Sequence, residues 1–386
     1  MISSLHARTL ERLAEIRSAG LERRVSPPMG IDLSSNDYLG LARDERVKEA
    51  LIEAVRNDSA GSTGSRLLRG HRKSFTDAER QFSQWKGTER SLFFSSGYQA
   101  NLGALQTFVE NTDLMFSDEL NHASLIDGIR LTKAKRMIFK HADVDEVAKY
   151  LRNTSGGRQK FLITESLFSM NGDIAPLHKY AEICRETSTA LIVDEAHAVG
   201  IFGRNGSGLI EEFGVEDSVF LSINTGGKAL GVSGAFVAGS HWAVEYLLQK
   251  ARPFIFSTAP PPAVPAALSA AIAIARSEPC RRERLFELTG YFRLLAGRFG
   301  LCRPSGPMSD RSPIVSVHVG DNARACVIAS RLQSLGFDVR AIRPPTVAEG
   351  TARLRISMNI TLTKEIVERF VDELARVMRE EGADLT

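Results

Sequence analysis

Cysteine is scarce in this chain. Its four residues, Cys184, Cys280, Cys302 and Cys326, stand far apart and form no Cys-x-x-Cys pair. That excludes a disulfide framework and a thiolate zinc site, so no metal is expected and a reducing, cytoplasmic setting is. Long apolar runs are missing too: no stretch matches the ~20 residues that a membrane crossing needs, so no membrane partner is expected. The segment from Met1 to Ser26 alternates charged and apolar residues and lacks the apolar core of a secretory signal. Charge of one sign is also in short supply. With 49 basic and 46 acidic residues the net charge is +3, and no dense basic run suggests nucleic acid as a partner. There is no internal repeat and no low-complexity segment. What remains, 43% hydrophobic and 25% charged residues, is the make-up of a globular protein. At 386 residues it exceeds one core, so one large and one small domain are expected.

Short apolar, β-branched runs alternate with helical periodicities through the middle of the chain. Strands are predicted at Ser91 to Phe94, Leu114 to Phe116, Arg136 to Phe139, Lys160 to Thr164, Ala190 to Val193, Val219 to Ile223 and Gly234 to Gly239. Helices are predicted after Gly97, from Ala123 to Lys133 and from Leu177 to Thr187. This alternation indicates a wound, mainly parallel sheet of α/β class. A composition change at Ser277 to Arg284 marks the start of a small domain, with strands at Pro313 to Val319, Val339 to Ile342 and Arg353 to Met358. Its closing helix begins near Thr363. The expected organisation is an N-terminal helix and arm over 1–40, a large domain over 41–277 and a small domain over 278–386.

One stretch gathers chemistry. The strand at Ala190 to Val193 delivers Asp194 to its carboxyl end, where ligands sit in open α/β sheets. His197 follows three residues on. The next strand ends just before Thr225 and Lys228. A carboxylate, an imidazole and an amine at one rim suit a cofactor that needs a pyridinium partner, a ring-hydroxyl partner and an imine-forming amine, which is pyridoxal phosphate. Upstream, Ser95-Ser96-Gly97-Tyr98 turns a strand straight into a helix, an arrangement that offers free backbone N–H groups to an anion. It is not the nucleotide-binding P-loop. Nor is Gly226-Gly227-Lys228, because Ala229 follows where Ser or Thr is required.

Four linked segments resemble the α-oxoamine synthase family of fold-type I pyridoxal-phosphate enzymes. They are Ser35-Asn36-Asp37-Tyr38-Leu39-Gly40, Asn121-His122-Ala123-Ser124, Asp194-Glu195-Ala196-His197 and Gly227-Lys228-Ala229-Leu230-Gly231-Val232-Ser233-Gly234. The resemblance implies an aspartate-aminotransferase-like fold: a large domain with a mainly parallel seven-stranded sheet, and a smaller α+β C-terminal domain. It implies pyridoxal 5'-phosphate as cofactor, with Lys228 as the amine that holds it and Asp194 as partner of the pyridine nitrogen. His197 would lie near the ring 3-oxygen and His122 against the ring face. Gly97, Tyr98, Ser169 and Thr225 would surround the cofactor, mostly at its phosphate, and Thr258 would reach that phosphate from a second subunit of a homodimer.

For the substrates, the resemblance assigns Arg343 to the amino-acid carboxylate, with Asn36 assisting, Thr346 nearby and Arg23 on the acyl carboxylate. A guanidinium meets a carboxylate through two parallel hydrogen bonds, which an ammonium cannot do. The implied reaction is a decarboxylative condensation of an amino acid with an acyl thioester. Arg343-Pro344-Pro345-Thr346 and Gly64-Ser65-Arg66-Leu67-Leu68-Arg69-Gly70 favour L-alanine with a pimeloyl thioester, carried by coenzyme A or an acyl carrier protein. Asn121 to Arg130 suits glycine C-acetyltransferases equally. A cofactor-bound module without catalysis is the alternative from another class. Asn171 departs from the family, standing where many members carry Asp.

Overall fold

Seven strands form one sheet: Arg90–Phe94 (β1), Leu114–Asp118 (β2), Lys135–Phe139 (β3), Lys160–Glu165 (β4), Thr189–Asp194 (β5), Val219–Thr225 (β6) and Ala235–Gly239 (β7). They come from a computed structural model that describes residues 2–383 apart from 24, 155, 303–305 and 307. Their order across the sheet is β1-β7-β6-β5-β4-β2-β3. Only β7 runs against its neighbours, and the pairs β2–β3, β2–β4, β4–β5 and β5–β6 are parallel. Seven strands, mainly parallel, are what the apolar runs predict, and the α/β class holds.

The parallel strands read as continuous apolar runs because helices cover both faces of the sheet. Ile163 on β4, Ile192 on β5, Leu221 on β6 and Val237 on β7 are buried in one cluster with Ala100, Ala104 and Leu105. Those three lie on the helix Gly97–Phe108 (α1), which Ser96 caps by accepting the Gln99 N–H at 3.2 Å. Each fully buried Ile, Leu or Val side chain contributes about 1.5–3 kcal/mol. The strand ends are thereby held to fixed positions, which is what a site built on them needs.

The chain divides into two compact units. One spans Asn36–Ser169 and Asp173–Leu285 and holds the seven-stranded sheet. The other gathers Met1–Ser35, Met170–Gly172 and Phe286–Thr386. Within that second unit Ile31 pairs with Phe337 in parallel, so the N-terminal arm up to Ser35 joins the C-terminal elements instead of standing alone as residues 1–40. Its three-stranded antiparallel sheet comprises Ile314–Gly320, Ala352–Ser357 and Arg340–Ile342. Arg340–Ile342 is shorter than the run from Val339 suggests, because Phe337–Asp338 forms a separate strand against Ile31–Asp32. The closing helix is Lys364–Glu380, with Phe370 and Leu374 on its buried face.

Among the helices of ten residues or more, Glu45–Asn57, Val144–Asn153 and Pro279–Arg298 are not anticipated from the motifs. The first two start at Asp44 and Asp143, whose side chains cap them. The third covers the composition change at Ser277 to Arg284, with Pro279 as its first residue, where a missing N–H costs nothing. No helix among the described residues is long and apolar enough to cross a membrane.

Candidate active site

The carboxyl end of β5 leaves Asp194 only 5% exposed. Buried carboxylates need donors, and two are present. Ala196 N–H meets Oδ1 at 2.8 Å and the side-chain amide of Asn101 meets Oδ2 at 2.7 Å. The same Asn101 nitrogen donates to Ser124 Oγ at 2.8 Å. Both of its N–H groups are thus committed, which settles the orientation of the amide, since its oxygen would repel Asp194. Asn101 is a site residue that the sequence motifs do not reveal. Its one signal is a polar residue among the apolar positions of that helix.

Lys228 arrives on a tight loop after β6. The loop closes on itself through Gly226 N–H to Gly234 O at 2.8 Å and Gly231 N–H to Lys228 O at 2.8 Å. Gly231 has φ +68°, and a Cβ there would stand 2.2 Å from Ala42 N, so only glycine fits. The lysine Nζ lies 2.7 Å from His197 Nε2. On the other side of that ring, Nδ1 is 2.8 Å from the Tyr38 hydroxyl, which is 3.1 Å from Asn36 Oδ1. A tyrosine has one proton to give. Donated to Asn36, it leaves the Tyr38 oxygen to accept from Nδ1–H, so Nε2 keeps a lone pair facing the Lys228 amine. Tyr38 is fully buried and joins Asn36, His197 and Lys228 in one chain.

His122 precedes the helix Ala123–Leu131 (α2) and caps it, its Nδ1 accepting from Ser124 N–H at 3.2 Å. Ser124 Oγ lies 2.7 Å from the same nitrogen. With Nδ1 engaged as an acceptor, the neutral ring carries its proton on Nε2, which becomes a donor. His122 is accessible from solvent, yet the density of protein around it pushes its imidazole below the ordinary range. Asp194 pulls it back up and Lys228 pushes it further down. Both charges therefore lie within reach of one ring.

The residues expected at the phosphate fall into two groups. Gly97 opens α1, and a Cβ on it would be 3.8 Å from the Thr225 hydroxyl oxygen. The first N–H groups of α1 and the Thr225 hydroxyl thus lie side by side. Thr225 Oγ1 also accepts from Gly227 N–H at 3.3 Å, which ties that hydroxyl to the lysine loop. Tyr98 is 42% exposed and donates its hydroxyl to Asp127 on α2. Ser169 sits in a turn bounded by the Leu167–Ile174 bridge and Phe168 N–H to Asp173 O at 2.9 Å. Thr258 is exposed beside Ala259, whose N–H donates to Gly64 O at 3.0 Å.

The remaining expected residues belong to the second unit. Arg343 is half-buried and donates to the carbonyls of Gly20 and, at 3.3 Å, of Glu22. Thr346 is exposed, its N–H bonded to Arg343 O at 3.1 Å. Arg23 is exposed and reaches Pro344 O at 3.5 Å. Arg24, the next residue and also basic, lies outside the described residues. Asn171, the departure from the family, accepts a hydrogen bond from Arg353.

Residues 28–374 match the aminotransferase class I and II family. The chain belongs to that family. Within it the chain is 44% identical to 8-amino-7-oxononanoate synthase of Anaeromyxobacter dehalogenans, over 90% of this chain and 86% of that one. It resembles the serine palmitoyltransferase of Sphingomonas wittichii in structure, with a TM-score of 0.90, 29% identity and 99% of both chains covered. The 8-amino-7-oxononanoate synthase of Francisella tularensis gives a TM-score of 0.79 at 30% identity, over 92% of this chain and 99% of that one. The likeness to the α-oxoamine synthases, the fold-type I class and acyltransferase activity therefore stand.

This member of the class I and II family uses pyridoxal 5'-phosphate. The residues present fit it. A helix N-terminus with a hydroxyl beside it suits a phosphate, the donor-supported Asp194 suits a ring nitrogen, and the Lys228 amine suits the aldehyde carbon.

Proposed function

We propose that the chain condenses L-alanine with a pimeloyl thioester, carried by coenzyme A or an acyl carrier protein. The products would be carbon dioxide, the free thiol carrier and 8-amino-7-oxononanoate, in biotin biosynthesis. The observation that carries this reading is the 41–44% identity to proteins named for that product over nine-tenths or more of the chain, joined to the Lys228–His197–Tyr38 chain beside Asp194.

Pyridoxal phosphate supplies an electron sink for the negative charge left when the amino acid's Cα loses a proton. Lys228 removes that proton as general base, the Nε2 lone pair of His197 holding its amine in place. Asp194, held in place by the Ala196 and Asn101 donors, favours a protonated ring nitrogen, because opposite charges stabilise each other. His122, with Nε2–H as donor, binds the thioester carbonyl and then the keto-acid oxygen. Arg343 and Asn36 take the alanine carboxylate, Thr346 lies by the substrate, and Arg23 takes the far carboxylate of the acyl chain. Gly97, Tyr98, Ser169 and Thr225 surround the cofactor, mostly at its phosphate, and Thr258 reaches the phosphate from the second copy of a cytoplasmic homodimer.

The test is product analysis with three pairs: alanine with a pimeloyl thioester, glycine with an acetyl thioester, and serine with a palmitoyl thioester. The third is included because of the structural likeness to serine palmitoyltransferases. Fastest turnover of the first pair is expected. Faster turnover of either other pair overturns the proposal.

A further inference from the structure

β4 ends on Glu165, which lies across from Asp194 in the parallel register of β4 and β5. It is 3% exposed, and its Oε1 has no hydrogen-bond partner among the described residues. Its backbone is fixed as well. Glu165 N–H donates to Asn121 Oδ1 at 3.1 Å, and the next amide, Ser166 N–H, donates to Asp194 O at 2.8 Å. The groups acting on its carboxyl from the elements packed around it are Asp194 on β5, Asp118 at the end of β2, Lys228 beyond β6 and the His122 backbone N–H before α2. Two carboxylates therefore oppose a charge on Glu165, against one amine and one amide.

A carboxylate can accept at about four lone-pair sites, and burial without those partners strongly disfavours it. The neutral acid asks for much less. Burial first, then Asp194, push this carboxyl up to about 8, against the smaller pull of Lys228 and the His122 amide. Nothing in the reaction derived above uses the side chain.

We infer that Glu165 is a positioning residue that works as a neutral carboxylic acid beside Asp194, so that this pair of strand ends carries one negative charge, reserved for the cofactor's ring nitrogen. The inference rests on the reading of Asp194 as the ring-nitrogen partner and is independent of which amino acid and thioester react. Neighbouring carboxyl groups that cannot both ionise divide their roles in this way, one charged and one protonated. Above the pH at which Glu165 ionises, a second negative charge one strand over raises the proton affinity of Lys228, His122 and the ring nitrogen together.

Infrared spectra of the holoenzyme, without substrate, test this. The carbonyl stretch of a neutral carboxylic acid is expected near neutral pH. It should shift when glutamate is labelled with heavy carbon, and fade as pH rises through about 8. Glu165→Gln should remove the band and, with it, the step near that pH in a titration of the cofactor's visible absorption. The same variant should loosen the cofactor by less than about threefold, since the amide keeps the shape of the neutral acid. Absence of the labelled band in wild type at neutral pH overturns the inference. So does a loss of cofactor affinity beyond tenfold in Glu165→Gln, which would mean that the charge is required. If Glu165→Gln does not fold, the wild-type infrared titration decides alone. Failure of the Asp194 reading shows separately, as an unaltered visible band in Asp194→Asn.

Discussion

Lys228 Nζ stands 2.7 Å from His197 Nε2, and the far side of that imidazole is held by Tyr38 at 2.8 Å. With the Tyr38 proton given to Asn36, His197 Nδ1–H donates to the Tyr38 oxygen and Nε2 faces the lysine as an acceptor, and loss of that oxygen frees the ring to present N–H there instead. A net hydrogen bond of this kind contributes about 0.5–1.5 kcal/mol. Tyr38→Phe is therefore expected to weaken cofactor binding by about two- to tenfold and to shift the pH at which the visible band changes. Titration of apoprotein with pyridoxal phosphate at several pH values measures both. An unchanged pH profile would show that Tyr38 only fills space.

Lys228 itself admits a sharper expectation. Lys228→Ala removes the one amine that the loop Gly226 to Gly234 presents beside His197 and within reach of His122. The purified wild type is expected to be yellow, with a band that alanine perturbs. The variant should lack the band of lysine-bound cofactor. Turnover should fall by at least about 10²–10⁴-fold, the usual contribution of a positioned general base. Absorption spectra and single-turnover rates check this, and a wild-type protein that stays colourless with added cofactor would contradict it.

Arg343 donates to the Gly20 and Glu22 carbonyls, contacts that any guanidinium near a loop could make. If its role is the alanine carboxylate, Arg343→Ala loses charge-assisted hydrogen bonds worth about 1.5–3 kcal/mol. The apparent alanine affinity should drop about 10- to 100-fold, with the cofactor spectrum unchanged. Arg343→Lys should recover only part, because an ammonium cannot meet a carboxylate through two parallel bonds. Alanine titrations followed through the visible band separate the outcomes, and equal affinity in Arg343→Ala would remove Arg343 from the site.

The parts of the site that the chain order exposes are those tied to strand ends. Asp194, Lys228 and the turn into α1 follow from apolar runs and the residues just past them, since a parallel sheet puts all its carboxyl ends on one edge. Asn101, and the role of Tyr38 within its quoted segment, are hidden for a different reason. Each acts through a contact with a residue far along the chain, Asn101 with Asp194 and Tyr38 with His197. Local periodicity carries no trace of such pairs. Helix Pro279–Arg298 is obscured differently: the charged run Arg281 to Arg284 points to all sides of its first turns and masks the stripe of Leu285, Leu288 and Phe292, all fully buried.

His141 is held between two carboxylates, with Nδ1 3.0 Å from Asp118 Oδ1 and Nε2 bonded to Asp173. Its ring meets Phe168 edge-on at 4.4 Å. Burial opposes a charge on this imidazole, but the hydrogen bonds to Asp118 and Asp173 outweigh it and carry the pKa up to about 10. The folded protein thus holds a proton that the unfolded chain releases near its ordinary 6.5. The sign follows from linkage: the stability contributed by His141 is complete below about 6.5 and is lost as pH rises from there through about 10. Below neutral pH, His141→Asn should cost about 3 kcal/mol, the effect of leaving the fully buried Asp118 without its cationic partner. The gap between variant and wild type should close on the alkaline side. Because Asp173 also anchors the turn that carries Ser169 through its carbonyl bond to Phe168, the variant should bind pyridoxal phosphate more weakly as well. Urea unfolding at a series of pH values, paired with cofactor titration, checks both. A constant gap across the range would show that His141 is uncharged in the folded protein.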